Sequence, residues 1–153
     1  GFIKLGRLVE CADMTTRIMD VGAGDIMERA GRFGAIDPLL WGALLQALSA
    51  ASAYRREVGP IVEKDAALNF IFLSSTFPRS IKYFVRETRK ELMRLNNHDL
   101  AIRAVERLRR RLARLDAEHF TSGELHDYID DFQMQLTSLD AAIQATWFSW
   151  ENT

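Results

Sequence analysis

Residues Leu125 to Trp147 read LHDYIDDFQMQLTSLDAAIQATW. Leu125, Ile129, Phe132, Leu136, Leu139, Ile143 and Trp147 recur in steps of three and four. That period puts them on one stripe of an α-helix; a strand would alternate every second residue. The helix starts near Ser122, read as its cap. Glu124 and Asp127 stand in the opening turns, where negative charge suits a helix N-terminus. Upstream, from about Asp99 to Leu115, a second seam runs through Ala101, Val105, Leu108, Leu112 and Leu115. The two seams predict an antiparallel helical pair.

Further outward, every segment reads as helix or helix connection. Ser80 to Leu95 places Ile81, Phe84, Val85, Thr88 and Leu92 on one face, and Asn96-Asn97 closes it. Glu63 to Leu73 holds a run from Ala66 to Leu73 that a buried strand could also explain, but no second strand lies nearby to pair with it. Asp37 is a cap candidate and Pro38 suits a first helical position. Leu40, Leu44, Ala47, Leu48, Ala51 and Tyr54 then recur at helical spacing until Gly59-Pro60. The first helix spans Phe2 to Val21. A glycine-bearing link from Gly22 to Ile36 follows it, in which DIMERA forms a helical turn. The expectation is an all-α bundle of about six helices in a single domain over residues 1–153.

The bulk numbers exclude several classes. With 48% hydrophobic and 27% charged residues, the chain has the composition of a globular protein with a core. A net charge of −1 gives no global attraction to nucleic acid or acidic membranes. The single cysteine, Cys11, allows no intramolecular disulfide and no cysteine-built zinc site, and fits a reducing, cytoplasmic compartment. No apolar run is long enough to span a bilayer. The N-terminal apolar segment, interrupted by Lys4 and Arg7, does not read as a signal peptide. A chain already in mid-pattern at Phe2 is expected to be part of a longer protein.

The first helix, FIKLGRLVECADMTTRIMDV, carries apolar or small residues almost all round, which predicts burial. Arg7, Glu10, Met14 and Arg17 nevertheless share a stripe, with Asp13 at its shoulder. Charges inside a bundle must be paired or must face a wet site. The expectation is therefore a polar cluster of Arg7, Glu10, Asp13 and Arg17. Its plainer reading is an ion-pair network tying helices together; its sharper one is a pocket for a carboxylate, amine or phosphate.

GRLVECADMTTR, Gly6 to Arg17, resembles the signature of the bacterial alpha-E domain family, a helical domain named for a shared Glu-Arg pair. FIFLSSTFPRSIKYF, Phe70 to Phe84, resembles that family's later motif, and LLQALSAASAYRR, Leu44 to Arg56, its middle helix. Glu10, Asp13 and Arg17 match, whereas the Arg of the pair is Cys11 here, a loss of charge and donors. Family members are about twice this length, so the chain looks like the C-terminal half, and the missing N-terminal half is an expected partner. The resemblance also implies a setting beside ATP-grasp ligases and transglutaminase-like proteins, in systems that make or cleave amide bonds to peptides. One of these, or a second copy of the chain, is the further expected partner.

Other constellations weigh less. Arg79 and Ser80 follow Pro78 at a helix start. Ser80 reads as an N-cap, with Arg79 pairing an acid such as Glu10, ahead of an anion site. Arg103, Arg107, Arg110 and Arg114 form a basic stripe flanked by Arg109 and Arg111, and the preceding helix adds Arg79, Lys82, Arg86, Arg89, Lys90 and Arg94; this is the only feature favouring nucleic acid. The acidic last helix is expected to pair with it instead. None of His98, His119 and His126 stands in a Glu-x-x-His motif, so no metal and no cofactor is expected. Cys11 reads as a small buried side chain. ATWFSW, with Trp147, Phe148 and Trp150, is expected to bury partly against the missing half or a partner. The leading function is an accessory helical module. The rivals are an enzyme using Glu10 as acid or base, and a nucleic-acid-binding module on the Arg-rich helices.

Overall fold

The computed structural model describes residues 1–28, 37–116 and 120–149. Among them are seven helices and no strand. They are α1 Phe2–Glu28, α2 Asp37–Ala47, α3 Ala51–Glu57, α4 Lys64–Leu73, α5 Ile81–Met93, α6 Asp99–Ala113 and α7 Ser122–Trp147. No described helix is long and apolar enough to cross a membrane.

Helices α5, α6 and α7 follow the seams closely. Every residue of the expected α5 face is buried, as are Ala101, Val105, Leu108 and Leu112 on α6 and Leu125 to Ile143 along the α7 seam. Leu115 and Trp147 are half-buried. Arg111 pairs with Asp131 at 2.8 Å, while Trp147 Nε1 donates to the Asn96 carbonyl at 3.1 Å. One contact joins the end of α6 to the start of α7 and the other does the reverse, so the pair is antiparallel. The cap of α7 is Thr121, not Ser122: its hydroxyl accepts from the Glu124 amide. Ser80 caps α5 as expected, accepting from the Tyr83 amide. The run in α4 is helical, with Ala67, Leu68, Phe70, Ile71 and Phe72 buried.

Two boundaries differ from the expectation. Helix α1 continues seven residues beyond Val21, through Gly22 and Gly24 to Glu28. Gly22 admits α2: a Cβ there would lie 2.7 Å from Leu44 Cδ1. The rest of the expected link, residues 29–36, lies outside the described residues, as do the Asp37 side chain, His119 and Trp150.

The long second helix is two helices. Ala50 donates its amide to the Leu45 carbonyl and Ser49 to that of Gln46, with Ser49 at φ 55°. That bonding pattern is a Schellman ending, with Ser49 at the left-handed position usually held by glycine.

Helix α1 packs antiparallel on α7 and also against α2 and α5, while α6 lies between α5 and α7. Met19, Leu45, Tyr54, Leu68, Phe72, Ile81, Leu92, Leu125 and Ile129 meet in the common core with at most 2% of their surface exposed. Each such large side chain contributes about 1.5–3 kcal/mol on burial.

Candidate functional site

The charges of α1 are not inside the bundle. Arg7, Glu10 and Arg17 are exposed, and Asp13 is half-buried. Arg17 Nε stands 3.0 Å from Asp13 Oδ2, one turn earlier. Neither Arg7 nor Glu10 has an ion-pair partner among the described residues. The expected burial of this helix on all sides is thus corrected. Its neighbours cover the faces bearing Leu5, Leu8, Ala12, Thr15, Thr16 and Met19. A stripe of Ile3, Arg7, Glu10, Met14, Arg17 and Val21 is left in water. Cys11, half-buried, flanks it with a free thiol. Glu10 lacks the desolvated surroundings that general acid–base chemistry draws on.

Arg79 and Ser80 lie elsewhere, in the turn between α4 and α5, where they act on backbone. Arg79 Nη1 donates to the Leu48 carbonyl at 3.0 Å rather than to Glu10. Leu48 is the last residue before the left-handed Ser49, so this bond occupies a carbonyl that the end of α2 leaves without a helical partner. The Thr15 hydroxyl of α1 donates to the Arg79 carbonyl at 3.2 Å. Ser80, fully buried, donates from Oγ to the Ser74 carbonyl at 2.6 Å. Ser74 Oγ donates to Glu57 Oε2 at 2.7 Å and accepts the Phe77 amide at 3.1 Å. Phe77 stacks on Phe70 at 5.1 Å between ring centroids. The motif SSTFPRS therefore joins α1, α2, α3 and α4 through one turn.

The carboxylates that do enter the bundle belong to α5, and periodicity alone had not singled them out. Glu87 and Glu91 retain 9% and 4% of their surface. Lys4 of α1 stands 3.5 Å from Glu87 and 3.3 Å from Glu91. Arg94 lies 3.7 Å from Glu91, and Arg86 and Lys90 each lie 3.3 Å from Glu87. Burial pushes the Glu87 carboxyl up. The bonds from Lys90, then Arg86 and Lys4, outweigh burial and hold it below its ordinary range. The available signal was spacing: Glu87 and Glu91 follow Phe84 at steps of three and four, on the edge of the core face.

Helices α1 and α7 are joined by polar contacts at two levels. Deep in the interface Gln133 Nε2 donates to the buried Thr16 hydroxyl, which itself donates to the Ala12 carbonyl. Nearer solvent, His126 Nδ1 lies 2.9 Å from Asp20 and its Nε2 3.3 Å from Asp130. The hydrogen bond to Asp20, then the charges of Asp130 and Asp20, raise the imidazole above its ordinary value, with Asp127 adding to the effect. One ligand atom from each of Asp20, His126 and Asp130 falls within 4.8 Å of the others, so these three could hold a divalent ion. Both ring nitrogens already face carboxylates, and the arrangement is complete as an imidazolium between two acids. His98 is half-buried, with Nδ1 2.6 Å from the Leu95 carbonyl.

The basic stripe of Arg103, Arg107, Arg110 and Arg114 is exposed on α6. None of these four pairs with α7 among the described residues, against the expectation; the ion pair to α7 is made by the flanking Arg111, bonded to Asp131. Arg109 and Arg89 instead share Glu106 at 2.8 and 3.0 Å. These bonds, Arg109 first, hold the Glu106 carboxyl below its ordinary range against the effect of burial. At the chain ends, Phe2 packs on Trp147 and Phe148 with ring centroids 5.5 and 5.0 Å apart.

No curated protein and no solved structure matches the chain closely enough to serve as a relative. A family model does: Alpha-E, described as a predicted alpha-helical domain with a conserved ER motif, matches residues 1–148. The helical bundle, the exposed Glu10 of the first helix and the interlocked SSTFPRS turn are thus features of a chain that belongs to the Alpha-E family.

Proposed function

We propose that this domain is a non-catalytic docking module that serves a cytoplasmic, ATP-grasp-type amide-forming system acting on peptides. Its contact surface is the outer stripe of α1. The observation that carries the reading is the make-up of that stripe. Ile3, Met14 and Val21 are 76%, 61% and 76% exposed, and they interleave with Arg7, Glu10 and Arg17 at steps of three and four. Isolated exposed apolar residues are ordinary, but a continuous row with fixed charges between them is suited to a helical partner. The apolar members would supply contact area, and Arg7 and Glu10 would set register by pairing across the contact.

The proposed partner is an ATP-grasp-type ligase, from the setting that the family resemblance implies. A transglutaminase-like protein, the other half of a longer Alpha-E protein and a second copy of the chain are the competing occupants of the same stripe. The test is co-expression with the tagged ligase, followed by size-exclusion chromatography and titration calorimetry. Met14→Asp and the double exchange Arg7→Glu/Glu10→Arg should each weaken the complex at least tenfold while leaving the helical circular dichroism unchanged, because these side chains are exposed. A complex that ignores both variants, or the lack of any complex, overturns the reading.

A further inference from the structure

A groove of about 760 Å³ lies between α5 and α6, with no residue of α7 in its lining. Its floor is apolar. Val85 and Leu112 are buried at the base, Leu73 and Leu115 are half-buried, and Ala113 is exposed at one edge. Its rim is basic, with Lys82, Arg86, Arg89 and Lys90 from α5 and Arg109 from α6. Glu106 is the only carboxylate among the lining residues, and it is already shared by Arg89 and Arg109. Outside the lining, Glu87 stands against Arg86 and Lys90. Lys82 has no ion-pair partner among the described residues. A chain with net charge −1 thus concentrates positive charge around an apolar trough.

The contact of α6 with α7 shows what such chemistry accepts. There an acidic amphipathic helix packs on α6 and gives Asp131 to Arg111. The α5/α6 groove offers the same combination with no helix of the described residues seated in it. A phosphate chain would meet the cations and leave the apolar floor wet. An apolar helix would cover the floor and strand the cations.

We propose that this groove receives an acidic amphipathic helix of a partner protein, with its leucine-type face on the floor and its Asp or Glu residues against the rim. From Lys82 to Lys90 the rim runs eight residues, about 12 Å at 1.5 Å per residue. Two turns of helix span that distance. The groove is separate from the outer stripe of α1, so this inference does not depend on the docking role given to that stripe.

The test uses the whole chain and a fluorescein-labelled 14-residue peptide with leucines at helical spacing and glutamates between them. Fluorescence anisotropy should show saturable binding. A scrambled peptide of the same composition, with no leucine face, should bind at least tenfold more weakly. Lys82→Glu and Ala113→Glu both change exposed residues, and each should weaken binding of the patterned peptide about tenfold. Absence of saturable binding overturns the proposal. So does equal binding of the scrambled peptide, or displacement by single-stranded RNA of matched charge with Ala113→Glu without effect, since either marks a general polyanion surface.

Discussion

The Thr15 hydroxyl of α1 donates to the main-chain carbonyl of Arg79, while the Arg79 guanidinium donates to the carbonyl of Leu48. One residue of the α4–α5 turn therefore serves the first helix through its backbone and the end of α2 through its side chain. Removing the guanidinium exposes the Leu48 carbonyl to no replacement donor from the protein. Arg79→Ala should cost about 1.5–3 kcal/mol, the usual worth of a bond to a charged donor. Thr15→Val, which keeps the shape, should cost about 1 kcal/mol. Urea titration followed by circular dichroism reads both. An Arg79→Ala variant as stable as the parent would mean that the guanidinium lies free.

Ser49 sits at φ 55° in an exposed Schellman ending. A residue with a Cβ pays about 1–2 kcal/mol in that conformation. Ser49→Gly removes the clash but adds freedom to the unfolded chain, which offsets part of the gain. The expected net effect is about 0.5–1 kcal/mol of added stability, seen as a thermal midpoint some 2–4 °C higher per kcal/mol. A lower midpoint would show that the serine side chain holds the turn.

Two glycines of α1 should respond with opposite sign. Gly24 has open space around a would-be Cβ, so Gly24→Ala should stabilise by about 0.5–1 kcal/mol through helix propensity. At Gly22 the same methyl would approach Leu44 Cδ1 to 2.7 Å, inside the α1–α2 contact. Leu44 is buried, and its Cδ1 would have to leave its place in the α1–α2 contact. Gly22→Ala should lose the propensity gain and cost about 1–2 kcal/mol from overpacking. Midpoints that rise together for the two variants would remove the close-approach explanation.

His126 predicts a pH-dependent grip between α1 and α7. Its folded-state value is raised above the ordinary 6.5 by Asp20 first, then Asp130. A raised value means that folding favours the protonated ring. Its contribution is complete below the unfolded value and is lost as pH rises through the folded one. The thermal midpoint of the parent should exceed that of His126→Asn at pH 6, and the gap should close by pH 9. A gap that is the same at both pH values would refute the imidazolium reading.

What could be read from residue order divides along physical lines. The seams of α5, α6 and α7 were legible because each helix hides one stripe and wets the rest, and because Ser80 caps by a local bond. Helix α1 misled because Gly6, Met14 and Val21 fill its outer face with residues that look internal, although neighbouring helices cover only part of it. The α2–α3 break had no glycine or proline to announce it. It sits at Ser49, next to the Leu48 carbonyl that Arg79 reaches from thirty-one residues away. The interior carboxylates were expected on α1 and stand on α5. Lys4 could not be matched with Glu87 and Glu91 without knowing that the first and fifth helices touch. Of the expected cluster, Arg7, Glu10 and Arg17 share one exposed face of α1, whereas Arg79 and Ser80 belong to a separate turn.

Pairing the first helix with the last has a consequence for how the molecule is made. The α5–α6 and α6–α7 hairpins join neighbours in the chain and can form early, since short loops close at small entropic cost. Helix α1 can meet α2 and α5 sooner, but its contact with α7 must wait for the last helix. During synthesis, Leu5, Ala12 and Met19 leave the ribosome long before α7 exists to complete their cover. Charges along the outer edge of α1 would keep that waiting segment dispersed in water until its mate arrives, so the same row of side chains that faces solvent in the finished bundle can guard the nascent one.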